Sequence, residues 1–119
     1  MSADAMAELH RLWQLYLTLS QELLKFIDRQ DIDEFLALVE QREQVVQAMQ
    51  AQPAESMAAW RRTPECAALL REIKPLEMQT IYKAKAWLNK SRRNTAQVHA
   101  YELTAGRLNP LGNIVNRKY

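Results

Sequence analysis

Glycine and proline are scarce in this 119-residue chain, which has 2 and 4 of them respectively. All-β domains need many turn residues, so this scarcity argues against a sandwich or a barrel. Two glycines are also too few for a glycine-rich phosphate loop or a nucleophile elbow. Ala, Leu, Gln, Glu, Lys and Arg dominate instead, and these residues favour helices. The composition therefore predicts an all-α protein, and the length predicts a single domain.

Cysteines and long apolar runs are equally scarce. The one cysteine, Cys66, cannot form an internal disulfide and is expected to be a small buried or half-buried thiol. His10 and His99 have no Glu or Cys at metal-binding spacing, so neither a metal nor another cofactor is expected. No run approaches the about 20 apolar residues that span a bilayer, and residues 1–9 lack the basic start of a signal peptide. These absences predict a cytoplasmic protein that does not insert into membranes.

Charge is present in both signs, but it is unevenly distributed. Residues 1–82 carry 8 Lys/Arg against 13 Asp/Glu, a net −5, whereas residues 83–119 carry 8 Lys/Arg against Glu102 alone, a net +7. Such asymmetry is typical of an interaction surface or a solvated tail, and its sign indicates an acidic partner.

The spacing of apolar residues predicts three helices. Leucines and aromatics three and four residues apart predict a first helix over about 3–30. Asp31 is expected to cap a second helix over about 32–51 that folds back as an antiparallel hairpin, the alternative being one continuous helix. Thr63-Pro64-Glu65 is a strong helix start and predicts a third helix over about 64–105. Pro75 is expected to kink this helix without ending it.

The connecting and terminal segments complete the predicted architecture. The break at 51–56 is followed by residues 57–60, which can add a helical turn. Gly106 is expected to supply a left-handed helix cap, and residues 106–119 to form an irregular basic and apolar tail that docks on the bundle or on a partner. The prediction is an elongated antiparallel three- to four-helix bundle over 1–105 with an irregular C-terminal tail.

One enzyme family has a partly similar pattern. The pattern Ile27-Asp28 and Ile32-Asp33, followed by residues 35–42, resembles the first helix of the all-helical chorismate mutases, which bind a dianion with several converging cations. Arg42 matches a recurrent arginine of that family. The leading arginine is missing, however, and Pro53 stands where a lysine is expected. A small enzyme of this type is an alternative, and the main expectation is a protein without catalytic activity.

A second resemblance spans most of residues 9–105 in order and spacing. Leu19-Ser20-Gln21-Glu22-Leu23-Leu24, followed about seven residues later by Asp31-Ile32-Asp33-Glu34-Phe35-Leu36, is similar to the first hairpin of the FliT-type flagellar export chaperones. Leu88-Asn89-Lys90-Ser91-Arg92-Arg93, followed by Ala100-Tyr101, resembles the C-terminal helix of that family. Residues 109–119 do not match the family pattern.

This resemblance implies a cytoplasmic chaperone of the flagellar type III export system. Such proteins hold the C-terminal region of the filament-cap protein and deliver it to the export apparatus. Some members also contact the export ATPase, the export gate or the flagellar master transcription regulator, and their C-terminal helix can cover the client groove. The resemblance leaves both a monomer and a homodimer as alternatives. The alternative is a structural helical adaptor of another secretion or division system.

The residues expected to contact partners lie in or next to the basic part of the chain. An amphipathic client helix can lie in a groove between bundle helices, and the adaptable side chains of Met49, Met57 and Met78 are candidates to line it. No nucleic-acid-binding motif surrounds the basic residues, so direct binding to nucleic acid is not expected. The predicted contacts are Ile81, Tyr82, Trp87, Arg92, Arg93 and Tyr101.

Overall fold

A computed structural model describes residues 3–90, 95–104 and 107–108, and these ranges contain five helices and no strand. The predicted all-α class is therefore confirmed. The molecule measures 52 × 22 × 21 Å along its principal axes, which confirms the elongated shape. Within these ranges, no helix combines the length and the apolar character of a membrane span. The helices are α1 (Ala3–Asp28), α2 (Ile32–Gln50), α3 (Ala54–Arg61), α4 (Pro64–Lys90) and α5 (Thr95–Thr104).

The chain reverses direction between α1 and α2. Gln30 adopts a left-handed backbone conformation with φ of 58°, and the Asp31 amide donates to the Phe26 carbonyl at 3.0 Å. These are the features of a helix C-terminus closed by a left-handed residue. The Asp31 side chain then accepts from the Glu34 amide at 3.3 Å and caps α2. The helix break predicted at Asp31 is confirmed.

The predicted helix start near residue 63 is also confirmed. The Thr63 hydroxyl accepts from the Cys66 amide at 3.2 Å and donates to the Trp60 carbonyl at 2.7 Å, which joins the end of α3 to the start of α4. Pro64 is the first residue of α4 and loses no intrahelical hydrogen bond there. Pro75 lies inside α4 and does not end it.

Two clusters of buried side chains show how the helices run. The first core cluster combines the beginning of α1, the end of α2, α3 and the beginning of α4. The second core cluster combines the end of α1, the beginning of α2, the end of α4, Tyr101 and Leu108. Therefore α2 is antiparallel to α1 and α4, which run in the same direction, and α1 packs closely against both. Cys66 is a free, buried thiol of the first cluster, as predicted, and burial raises its pKa.

The prediction of one helix over 64–105 is wrong. The ring centroids of Trp87 and Tyr101 are 5.9 Å apart, whereas these residues would be about 21 Å apart in one continuous helix. Helix α5 instead returns to the bundle and contacts α2. The physical reason is that this reversal buries both aromatic rings in the second core cluster.

Part of the predicted tail can be described. Leu108 is buried in the second core cluster, so docking on the chain's own bundle is confirmed for this residue. The predicted cap at Gly106 and the tail residues 109–119 lie outside the described residues.

Candidate functional site

The end of the described chain covers a groove between α2 and α4. Helix α5 contacts α2, and Tyr101 packs its ring against Trp87 of α4 in a tilted arrangement. Leu108 adds a further buried apolar side chain. We call α5 together with Arg107 and Leu108 the α5 cover. It bridges the two helices and shields the apolar groove between them from solvent.

Polar contacts hold the C-terminal end of the α5 cover, at Arg107 and Leu108, against the bundle. Arg107 forms an ion pair with Glu40 on the exposed side of α2. The Arg42 guanidinium donates through Nη2 to the Leu108 carbonyl at 3.3 Å, and the Arg107 carbonyl lies 3.5 Å from the same atom. An exposed ion pair contributes little to stability, so the buried donation from Arg42 is the stronger fastening.

Arg42 belongs to a buried polar cluster that lies between the two core clusters. The side chains of Arg42 and Glu77 are paired through Nη1 and Oε1, and the two residues are only 1% and 3% exposed. Arg42 also donates to the Ser20 hydroxyl at 2.9 Å, and its guanidinium lies 4.8 Å from the centroid of the Tyr16 ring. The Tyr16 hydroxyl donates to Glu77 Oε1 at 3.1 Å. We call these four residues, Tyr16, Ser20, Arg42 and Glu77, the polar cluster.

Burial controls the protonation of the polar cluster. Desolvation raises the pKa of Glu77, although the charge of Arg42 and the hydrogen bonds from Tyr16 and Arg42 oppose this. Desolvation also raises the pKa of Tyr16, so its hydroxyl keeps its proton and donates. Within the described residues, Glu77 Oε2 is buried without a hydrogen-bond partner. The network is therefore sensitive to the loss of any one member.

The surroundings of Arg42 bear on the resemblance to chorismate mutases. Its guanidinium donates to a carboxylate, a hydroxyl and a backbone carbonyl of its own chain. A dianion would have to displace these acceptors to reach it. The side chains that the described ranges bring together also include no group of three or more His, Cys, Asp or Glu that could hold a metal ion.

The predicted partner residues fall into three groups. Trp87 and Tyr101 are brought together, but both are buried against each other, and Ile81 is half-buried at the edge of the same cluster. Tyr82 points away from the groove and is 75% exposed. Arg92 and Arg93 lie outside the described residues. Of the three methionines predicted to line the groove, Met49 and Met57 fill the first core cluster, and Met78 is 70% exposed.

Sequence reasoning missed the importance of Arg42 and Glu77 as a pair. A signal was present, because each residue occupies an apolar stripe of its helix. Arg42 lies between the core residues Leu38 and Val45, and Glu77 follows the core residue Ile73 by one turn. Opposite charges on the buried stripes of two helices indicate a buried ion pair.

A second exposed ion pair, besides that of Arg107 with Glu40, connects the basic and acidic parts of the chain. Lys83 of α4 pairs with Asp28 at the end of α1. Both side chains line a small cavity of about 150 Å³ beside Trp87 and Lys90. Together with the pair between Arg107 and Glu40, this pairing agrees with the charge asymmetry of the sequence.

Comparison with known proteins yields no match. No family model fits the chain, and no curated protein and no solved structure is significantly similar to it. A functional assignment therefore rests on the residues, their geometry and the resemblance described above.

Proposed function

We propose that this protein is a cytoplasmic chaperone of the flagellar type III export system. In this proposal it binds the C-terminal region of the filament-cap protein and delivers it to the export apparatus. The helical hairpin followed by a long helix and the Ala100-Tyr101 pair supports the family resemblance. The export ATPase, the export gate and the flagellar master transcription regulator are further proposed partners.

The observation that carries this proposal is the α5 cover over the groove between α2 and α4. Trp87 forms part of the groove floor, whereas Tyr101 and Leu108 belong to the cover. Lifting the cover would expose an elongated apolar surface between two helices, and such a surface suits an amphipathic client helix. The proposed client therefore competes with the chain's own C-terminal helix.

Isothermal titration with the C-terminal segment of the filament-cap protein from the same organism tests this function. Leu108→Ala weakens the cover without altering the floor, and we expect it to bind about three- to tenfold more tightly than the parent chain. Trp87→Ala removes floor surface, and we expect it to bind at least about tenfold more weakly. Leu103→Ala is the matched control, because Leu103 lies on the same segment but is 70% exposed.

The direction in which each variant changes the affinity distinguishes a chaperone from a structural adaptor. Stronger binding by Leu108→Ala, weaker binding by Trp87→Ala and unchanged binding by Leu103→Ala are the expected results. If neither the parent chain nor Leu108→Ala binds the segment, the chaperone proposal is wrong and a structural adaptor is favoured. Circular dichroism of each variant must match the parent chain for its binding result to count.

A further inference from the structure

The outer face of α4 carries exposed apolar side chains that the fold does not use. Met78 is 70% exposed and Tyr82 is 75% exposed. They are one helical turn apart, so their side chains are neighbours on the helix surface. Leu103 of α5 is the other large apolar side chain that is exposed to this degree in the described ranges. Two of these three side chains therefore form one patch.

Three cations surround this apolar pair. Arg71, Lys74 and Lys85 are exposed on α4, and a rotation of 100° per residue places all three within an arc of about 80° that includes Met78 and Tyr82. No ion pair joins any of the three to another described residue. We call the surface formed by Arg71, Lys74, Met78, Tyr82 and Lys85 the α4 outer face.

The α4 outer face differs from an ordinary solvated helix surface. Solvated helices commonly pair a cation with an acid three or four residues away. The only acid at such a distance from Arg71, Lys74 or Lys85 is Glu77, and its side chain points inward to Arg42. The face therefore combines an unneutralised positive charge with exposed apolar surface.

The α4 outer face is also separate from the groove under the α5 cover. The buried residues of α4, which include Ile73, Glu77, Ala84 and Trp87, project from the opposite side of the helix. A partner on the outer face would contact neither Trp87 nor Tyr101. Occupancy of this surface would be independent of the position of the α5 cover.

We propose that the α4 outer face is a docking surface for an acidic amphipathic helix of a partner protein. The apolar stripe of that helix packs on Met78 and Tyr82, and its carboxylates face the three cations. The distance from Arg71 to Lys85 along α4 is about 21 Å, which corresponds to about four turns of a partner helix. Tyr and Arg are residue types that frequently dominate binding energy at protein interfaces.

The central position of the apolar pair favours a protein partner. Met78 and Tyr82 lie between Lys74 and Lys85 along the helix, so the apolar patch has a polar rim, as protein interfaces have. An anionic membrane surface is bound by a broader apolar face that carries several large side chains. A nucleic acid is bound mainly through phosphates and needs no apolar centre.

A synthetic peptide tests the proposal on the full chain. The probe is a 16-residue amidated, fluorescently labelled helical peptide with Leu on one face, Glu on both flanks and Ala elsewhere. We expect fluorescence anisotropy to show binding that weakens as salt rises, because exposed charges are screened. The control peptide has Lys at every Glu position and is expected to bind at least about tenfold more weakly.

Two sets of substitutions locate the binding. The double variant Met78→Ser with Tyr82→Ser and the triple variant Arg71→Glu, Lys74→Glu, Lys85→Glu are each expected to lose at least about tenfold in affinity. Leu103→Ser and Arg62→Glu are single-site controls, since they change an exposed apolar residue and an exposed cation elsewhere. All the substituted side chains are exposed, so helix content should stay unchanged.

Four results would overturn the proposal. The first is equal binding of the Glu and Lys peptides, and the second is undiminished binding by both sets of variants. The third is amide shifts on peptide binding that map to the groove between α2 and α4 and not to residues 71–85. The fourth is displacement of the bound peptide by phosphatidylserine vesicles or by single-stranded DNA at charge-matched concentration, which would assign the face to another class of ligand.

Discussion

At each end of the bundle, a short helix completes the core cluster that the long helices form. The two short helices differ in how they are connected to the rest of the chain. At one end, α3 lies between α2 and α4 in the chain and completes the first core cluster with Met57 and Trp60. The Trp60 ring lies 6.5 Å from the Trp13 ring and 5.4 Å from the His10 ring, measured between centroids. At the other end, α5 follows the last of the long helices and completes the second core cluster with Tyr101 and Leu108.

This difference separates a permanent closure from one that can open. Displacing α3 would pull on both α2 and α4, because α3 is covalently connected to each of them over a few residues. Displacing the α5 cover would leave α1, α2 and α4 connected and packed. The end closed by α3 therefore suits stability, and the end closed by the α5 cover suits exchange with a ligand.

The largest effect on the free energy of unfolding is expected at the polar cluster, which lies between the two core clusters. Arg42→Met removes the cation and leaves Glu77 buried without its partner, which should lower the free energy of unfolding by about 3–5 kcal/mol. Arg42→Met combined with Glu77→Met should recover at least half of that loss, because no buried charge remains. Urea unfolding followed by circular dichroism measures both changes.

Arg107→Ala is the surface control for this experiment. It removes only the exposed pair with Glu40 and should cost less than about 1 kcal/mol. If the double variant is as unstable as Arg42→Met alone, then the loss arises from packing and not from an unpaired charge.

Aromatic truncations at the two ends test whether the α3 closure and the α5 cover differ in stability. Trp60→Ala in the α3 closure should cost about 3–5 kcal/mol of global stability, because the ring is buried among core side chains. Tyr101→Ala should cost about 2 kcal/mol and mainly loosen α5, since the remaining helices keep their packing. Hydrogen exchange measures this: amides of the first core cluster should lose protection in Trp60→Ala only. Equal loss across the molecule in both variants would contradict the proposed difference between the ends.

The smallest effect on the free energy of unfolding is expected at the chain reversal between α1 and α2, beside the second core cluster. Gln30 occupies a left-handed conformation that glycine adopts without steric cost. Gln30→Gly should therefore raise the free energy of unfolding by about 0.5–1 kcal/mol. Gln30→Ala is the control, because alanine keeps the steric cost, and its stability in urea should stay close to that of the parent chain.

Local signals made much of the fold predictable from the sequence. Asp31 and Thr63 mark helix starts through their own side-chain hydrogen bonds, so a few neighbouring residues suffice to find them. The return of α5 was not predictable in this way. Helix-compatible spacing continues through Leu88, Ser91, Thr95 and Val98 without an intervening Gly or Pro, and only the long-range contact between Trp87 and Tyr101 reveals the reversal.

The candidate site was predictable only in part, for a similar reason. Trp87 and Tyr101 were both predicted to contact a partner, which remains a prediction, and the sequence does not reveal that they bury each other. The pairing of Arg42 with Glu77 joins residues 35 positions apart and depends on which faces α2 and α4 present to each other. Tyr82 was selected as a partner contact, and that remains a prediction.

The donation from Arg42 to the Leu108 carbonyl also constrains how the sequence can vary in length. Tyr101 is fixed by the Trp87 ring and Leu108 by the guanidinium, so the number of residues between these two anchor points is set by the distance that the chain must bridge. An insertion or deletion there would shift either the ring or the carbonyl away from its partner. Related chains that retain both anchors should therefore tolerate substitutions between positions 101 and 108 but not changes in the length of that interval.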